Sequence, residues 1–121
     1  MLAAPAALLP ATAFGASNSS LLQSALAGPG NQKRGAELIL HYGCGTCHTI
    51  PGIPNARGEV GPPLNRISRR TFIAGMLPNT RQNMMLWLMY PQKIIPGNAM
   101  PDMGLTEQQA ADITAYLSKL R

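Results

Sequence analysis

No charged residue precedes Lys33, and Met1 is followed by no Lys or Arg until that point. The opening "MLAAPAALLPATAFGASNSSLLQSALAGPG" is rich in Ala, Leu, Ser and Pro and has no sustained helical period. Its apolar run, "LAAPAALLPATA", is too short to cross a bilayer, which takes about 20 residues. It reads instead as a targeting segment, with Ala11-Thr12-Ala13 as an A-x-A cleavage site and Ala25 to Ala27 as a second choice. Residues 1–30 are expected to be a signal, leader or flexible arm, and residues 31–121 a single domain. Export would put that domain in the periplasm or on the outer face of the cytoplasmic membrane.

Aromatic residues make up only 5% of the chain, and no basic run sits on a clear recognition helix, which argues against nucleic acid as a partner. Acidic residues are scarce too, 5 against 10 Lys and Arg. The imbalance is local: between residues 57 and 93, Arg57, Arg66, Arg69, Arg70, Arg81 and Lys93 face Glu59 alone. A one-sided basic surface steers an acidic partner; a solvated face with no partner is the plainer alternative. No strand alternation of any length occurs, and no repeat, so the domain is expected to be all-α with long loops. About 90 residues build a small core, which a covalent staple or cofactor would help to hold.

Helices are expected at four places. "NQKRGAELILHYG", residues 31–43, has Asn31 as N-cap, Leu38, Ile39 and Tyr42 on one face, and an interior Gly35. Gly35 costs about 1 kcal/mol against Ala, which close packing on another helix would offset. Prolines and glycines make 49–65 a loop. "ISRRTFIAGML" is read as a short helix capped by Ser68, and Thr80 to Tyr90 as another, with Asn79 and Gln82 at capping-box spacing and Pro91 as its stop. "PQKIIPGNAMPDMG" is read as loop. Last, Thr106 and Gln109 form a capping box ahead of the stripe Ile113, Tyr116, Leu117 and Leu120.

The chain has only two cysteines, Cys44 and Cys47, in "CGTCH". A thiol redox pair needs a strand before the motif and a helix after it; here a helix precedes and proline loops follow. A structural zinc needs four ligands. Cys44, Cys47 and His48 supply three, and His41, one turn earlier, reads as a surface residue. The third reading is c-type haem attachment. Each thiol adds across a vinyl group to form a thioether, and the adjacent His48 supplies an imidazole nitrogen to iron. Gly45 and Thr46 are small enough to let backbone pass the ring edge. A second ligand must come from elsewhere. Of the seven methionines, Met1 lies in the leader and Met76, Met84, Met85 and Met89 lie in apolar helical stretches, where methionine fills core gaps. Met100 and Met103 remain, on a proline-stiffened loop; Met100 is preferred and Met103 is the alternative.

With these pieces in order, residues 31–121 resemble a monohaem class I cytochrome c. "CGTCH" resembles its haem-binding motif. "GPPL", Gly61 to Leu64, resembles the Gly-Pro-x-Leu loop, which implies that the Pro62 carbonyl accepts from the ring of His48, with Leu64 beside the haem. "AMP" resembles the axial-methionine loop, which implies Met100 as ligand. Gly35 and Tyr116 resemble the contact where the terminal helices cross. The likeness also implies that Trp87 donates to a haem propionate, with Tyr90 and Arg66 as weaker contacts; plain core packing is the alternative for Trp87. Expected shell residues are Leu40, Leu64, Phe72, Leu86 and Leu88, and Arg57, Arg69, Arg70 and Lys93 are expected to rim the exposed edge. A narrower likeness lies in "CHTIPGIPNARGEVGPPLNRISRRTFIAGMLPNT" and "WLMYPQKIIPGNAMPDMGLTEQQAADITAYL", which are similar to cytochrome c domains that accompany or are fused to bacterial haem–copper oxidases. This implies one covalent haem c and one-electron transfer, with no catalytic residues. The implied partners are a haem–copper oxidase and an upstream cytochrome or dehydrogenase, met as a free carrier or as a fixed subunit. A haem enzyme or gas sensor with an open iron position is the rival.

Overall fold

The computed structural model describes residues 28–121 and, before them, Ala3 alone. The leader and its cleavage sites lie outside the described residues. Residues 28–30 already pack on the domain: Arg81 donates to the Gly28 carbonyl, and Gly30 sits against the backbone of Ala111.

Helix α1 spans Gln32–His41. Asn31 caps it, accepting from the Arg34 N–H at 2.9 Å, and its buried face is Gly35 and Ile39. Helix α4, Glu107–Ser118, closes the fold behind the expected capping box: Thr106 Oγ1 accepts from the Gln109 N–H at 3.2 Å and Gln109 Oε1 from the Thr106 N–H at 3.0 Å. The two helices cross where the sequence has glycine. A methyl group at residue 35 would land on the Asp112 carbonyl and 3.0 Å from Tyr116 Cβ, so only glycine allows this approach. Asp112 is buried at the crossing, where Oδ1 accepts from the Asn31 N–H at 2.8 Å and Gln108 Nε2 at 3.0 Å, and Arg34 stands 3.8 Å from Oδ2. Tyr116 donates its phenol to the Pro51 carbonyl at 2.6 Å, tying α4 to the loop after the cysteines.

Three expectations between residues 66 and 96 are corrected. "ISRRTFIAGML" is not a helix. It makes a 3-10 turn at Ile67–Arg69 and then a hairpin of β1, Phe72–Ile73, and β2, Leu77–Pro78, with Ile73 opposite Leu77. Three residues connect the strands, with Ala74 and Gly75 at φ 52° and 68° and the Met76 N–H donating to the Ile73 carbonyl at 3.0 Å. The domain is thus not all-α as expected: four α-helices hold a modest fraction of it, beside one small antiparallel sheet and long loops. Helix α2, Arg81–Met89, is capped by Thr80, which accepts from the Asn83 N–H at 3.1 Å, not by Asn79. Asn79 is committed elsewhere, donating to the Ile67 and Arg70 carbonyls at 2.9 and 2.8 Å. Pro91 does not simply stop the chain. It opens a short helix α3, Pro91–Ile94, because its fixed φ and missing N–H suit a first helical position. Helix α4 packs against both α1 and α2, and the core runs through Ile39, Met85, Leu88, Ile113 and Leu117.

Candidate functional site

Helix α1 ends at a left-handed Gly43, φ 70°, which turns the chain into a 3-10 turn at Cys44–Thr46. The Cys47 and His48 N–H groups both donate to the Cys44 carbonyl, at 3.2 and 3.0 Å, so one turn sets both thiols and the imidazole. Both cysteines are half-buried and unbonded. Burial pushes the Cys44 thiol above its ordinary value and neighbouring Cys47 adds to this, against a lowering backbone hydrogen bond. A reactive thiol pair needs the opposite, a lowered value. Among the described residues, no three His, Cys, Asp or Glu side chains converge as a metal-holding group.

The loop 49–65 folds back over the motif. Gly58 N–H donates to Gly45 O at 3.0 Å and Gly61 N–H to Cys47 O at 2.8 Å. His48 Nδ1 lies 2.7 Å from the Pro62 carbonyl; a carbonyl only accepts, so Nδ1 is the donor and Nε2 is the ring nitrogen that the loop leaves free. Gly61 is pressed on the imidazole, and a Cβ there would lie 2.8 Å from Nδ1. Gly45 is also held small by packing: a Cβ there would lie 2.6 Å from Ala56 Cβ.

Cys44, Cys47 and His48 line a cleft of about 360 Å³. Its walls are largely apolar and come from every part of the domain, among them Ile39 of α1, Leu64, Ile73 of β1, Leu88 of α2 and Ile113 of α4. Met100 lines the same cleft from the loop after α3; Met103 does not, and Met84 does so from inside α2. Pro62, Leu64 and Trp87 also line it. Tyr90 does not: it is 44% exposed, with Lys93 Nζ 5.1 Å from its ring centre. Arg66 stays outside as well, at φ 59° on the surface.

The expected shell needs correction. Leu64 and Leu88 line the cleft, whereas Leu40, Phe72 and Leu86 are exposed on the outer faces of α1, β1 and α2. In each case a neighbour takes the inner place: Ile39, Ile73, and Trp87 with Leu88. Arg70, read as a rim charge, lines the cleft and donates its guanidinium to the Pro63 carbonyl. Its basic neighbours in sequence gave no sign of this difference.

The donor set fits a covalently tethered haem: two thiols and an imidazole on one turn, a thioether in the same cleft, apolar walls, and polar tips at Arg70 and Trp87. The cytochrome c family model matches residues 32–121. The chain is also similar to cytochrome c oxidase subunit 2 from three bacteria. Identity is 30% over 89 residues in Alkalihalophilus pseudofirmus, covering 73% of this chain and 25% of that protein. It is 33% over 89 residues in Bacillus sp. strain PS3, covering 70% and 25%, and 30% over 95 residues in Bacillus subtilis, covering 74% and 26%. The chain thus spans about a quarter of the length of these relatives. The motif, the cleft it opens on and the match across residues 32–121 agree: this chain belongs to the cytochrome c family, whose members carry haem c and transfer electrons.

Proposed function

We propose that the chain carries single electrons on one haem c, bound through thioethers at Cys44 and Cys47 with His48 and Met100 as axial ligands, and passes them to a haem–copper terminal oxidase. The observation that carries this reading is the imidazole held at Nδ1 by the Pro62 carbonyl, inside a cleft that Met100 also lines. Bound there, haem c supplies a one-electron Fe(III)/Fe(II) couple. The protein's share is to hold and tune it. Cys44 and Cys47 fix the macrocycle, and the Pro62 carbonyl orients His48 and raises its basicity. The Met100 thioether, a soft donor, favours the reduced state and raises the potential relative to a second histidine. Ile39, Leu64 and Leu88 keep water from the ring. Trp87 and Arg70, which line the cleft, would supply N–H donors to the haem propionates.

With both axial positions filled, the chain is an electron carrier and not an enzyme in its own right. The likeness to oxidase subunits supports delivery to an oxidase. An upstream cytochrome or dehydrogenase would be the donor, in the periplasm or on the outer face of the cytoplasmic membrane. The same likeness also favours a second reading, a fixed place within such a complex. Gel filtration of native membranes separates the two, since a free carrier does not co-elute with a large complex.

The test of the haem reading is an optical spectrum of periplasmically expressed protein, oxidised and reduced, with and without carbon monoxide. A c-type spectrum, the weak far-red band of methionine-bound Fe(III) and no response to carbon monoxide are expected. The band should vanish in Met100→Ala and survive in Met103→Ala. A strong carbon monoxide response in the unaltered protein would instead favour the open-site enzyme or sensor.

A further inference from the structure

The backbone of Met100 is held on both sides by side chains. Its N–H donates to Asn98 Oδ1 at 2.7 Å, and its carbonyl accepts from Gln92 Nε2 at 2.7 Å. Gln92 does more than this. The same Nε2 donates to the Asn98 carbonyl at 2.7 Å, Oε1 accepts from the Gly97 N–H at 3.0 Å, and the Gln92 N–H donates to Asp102 Oδ1 at 3.1 Å. One residue of α3 therefore ties four positions of the loop that carries Met100: residues 97, 98, 100 and 102. Asn98 is itself tied back to the helix, its Nδ2 donating to the Pro91 and Ile95 carbonyls at 3.0 and 2.7 Å.

We propose that Gln92 is the positioning residue for the Met100 sulfur: it holds the loop so that the thioether stays on iron and the sixth position stays closed to other ligands. This rests on the reading of Met100 as the second axial ligand. The argument is one of donor count. A primary amide has two N–H donors, and both are spent on carbonyls of the ligand loop. Glutamate has nearly the same shape and keeps the acceptor for Gly97, but it turns oxygen lone pairs toward the Asn98 and Met100 carbonyls. Substitution by leucine removes both ends.

The test uses holoprotein in five forms: unaltered, Gln92→Glu, Gln92→Leu, Met100→Ala and Ser68→Ala. Ser68 donates to the Leu120 carbonyl at 2.8 Å, away from the ligand loop, so its loss reports a general weakening. The readout is the rate at which imidazole abolishes the far-red band of the oxidised protein, with the denaturant midpoint measured alongside. Both Gln92 variants should react roughly tenfold faster or more, the scale set by losing two hydrogen bonds, while Ser68→Ala keeps the unaltered rate. Rates within about twofold of the unaltered protein for both Gln92 variants, with Met100→Ala open to imidazole at once, would overturn the role of Gln92 and leave the ligand reading intact. If Met100→Ala retains the far-red band, the ligand reading itself fails, and the proposal with it.

Discussion

The imidazole of His48 is confined from two directions, by the Pro62 carbonyl at 2.7 Å and by the backbone of Gly61 against its ring. Gly61→Ala would set a methyl group 2.8 Å from Nδ1 and 2.9 Å from Nε2. Either the ring tilts or the loop withdraws, and both weaken the bond to Pro62. Overpacking of this kind costs about 1–3 kcal/mol. The expected result is a lower denaturant midpoint together with an altered far-red band; a variant matching the unaltered protein in both would show that the loop yields freely. At this scale the sequence was legible where chemistry demands fixed residue types in a short span, as with Cys44, Cys47 and His48. It was opaque for Arg70 and Gln92. A lone arginine or glutamine has no periodicity or spacing, and its use depends on which carbonyls the fold brings to it. Tyr90 misled for a local reason: α2 ends at Met89, so the helical face carrying Trp87 does not continue to it.

The terminal helices were legible as elements because each has a cap and an apolar stripe that agree. The segment from 66 to 80 was not. Its apolar residues fit a short helix as well as a hairpin, and what decides is the Ala74–Gly75 turn together with Asn79 bridging the Ile67 and Arg70 carbonyls. Between α4 and the loop after the haem motif, the Tyr116 phenol on Pro51 is a single long-range tie. Tyr116→Phe should cost about 1 kcal/mol at neutral pH, read by denaturant unfolding. Burial raises the Tyr116 pKa above its ordinary value of 10.0, so the fold favours the neutral phenol. That contribution is complete below about pH 10 and is lost as pH rises through the higher folded value. The gap between the variant and the unaltered protein should therefore shrink in strong alkali; a constant gap would mean that the phenol does not titrate with unfolding.

For the molecule as a whole, eight of the fifteen buried apolar residues of the described domain line the cleft of about 360 Å³. Helix α4 packs on α1 and α2, but the apolar side chains that α1, β1, α2 and α4 turn to the cleft face an open space. Cys44→Ala combined with Cys47→Ala should leave the chain largely unfolded by circular dichroism, whereas a cooperative thermal transition in that variant would contradict a structural role for the cofactor. The crossing of α1 on α4 leaves little slack. Gly30, just ahead of α1, lies against Ala111 and Ala115 near the last turn of α4, which ends at Ser118. A Cβ at residue 30 would run into the Ala111 carbonyl, so strain placed there would be carried into both terminal helices at once.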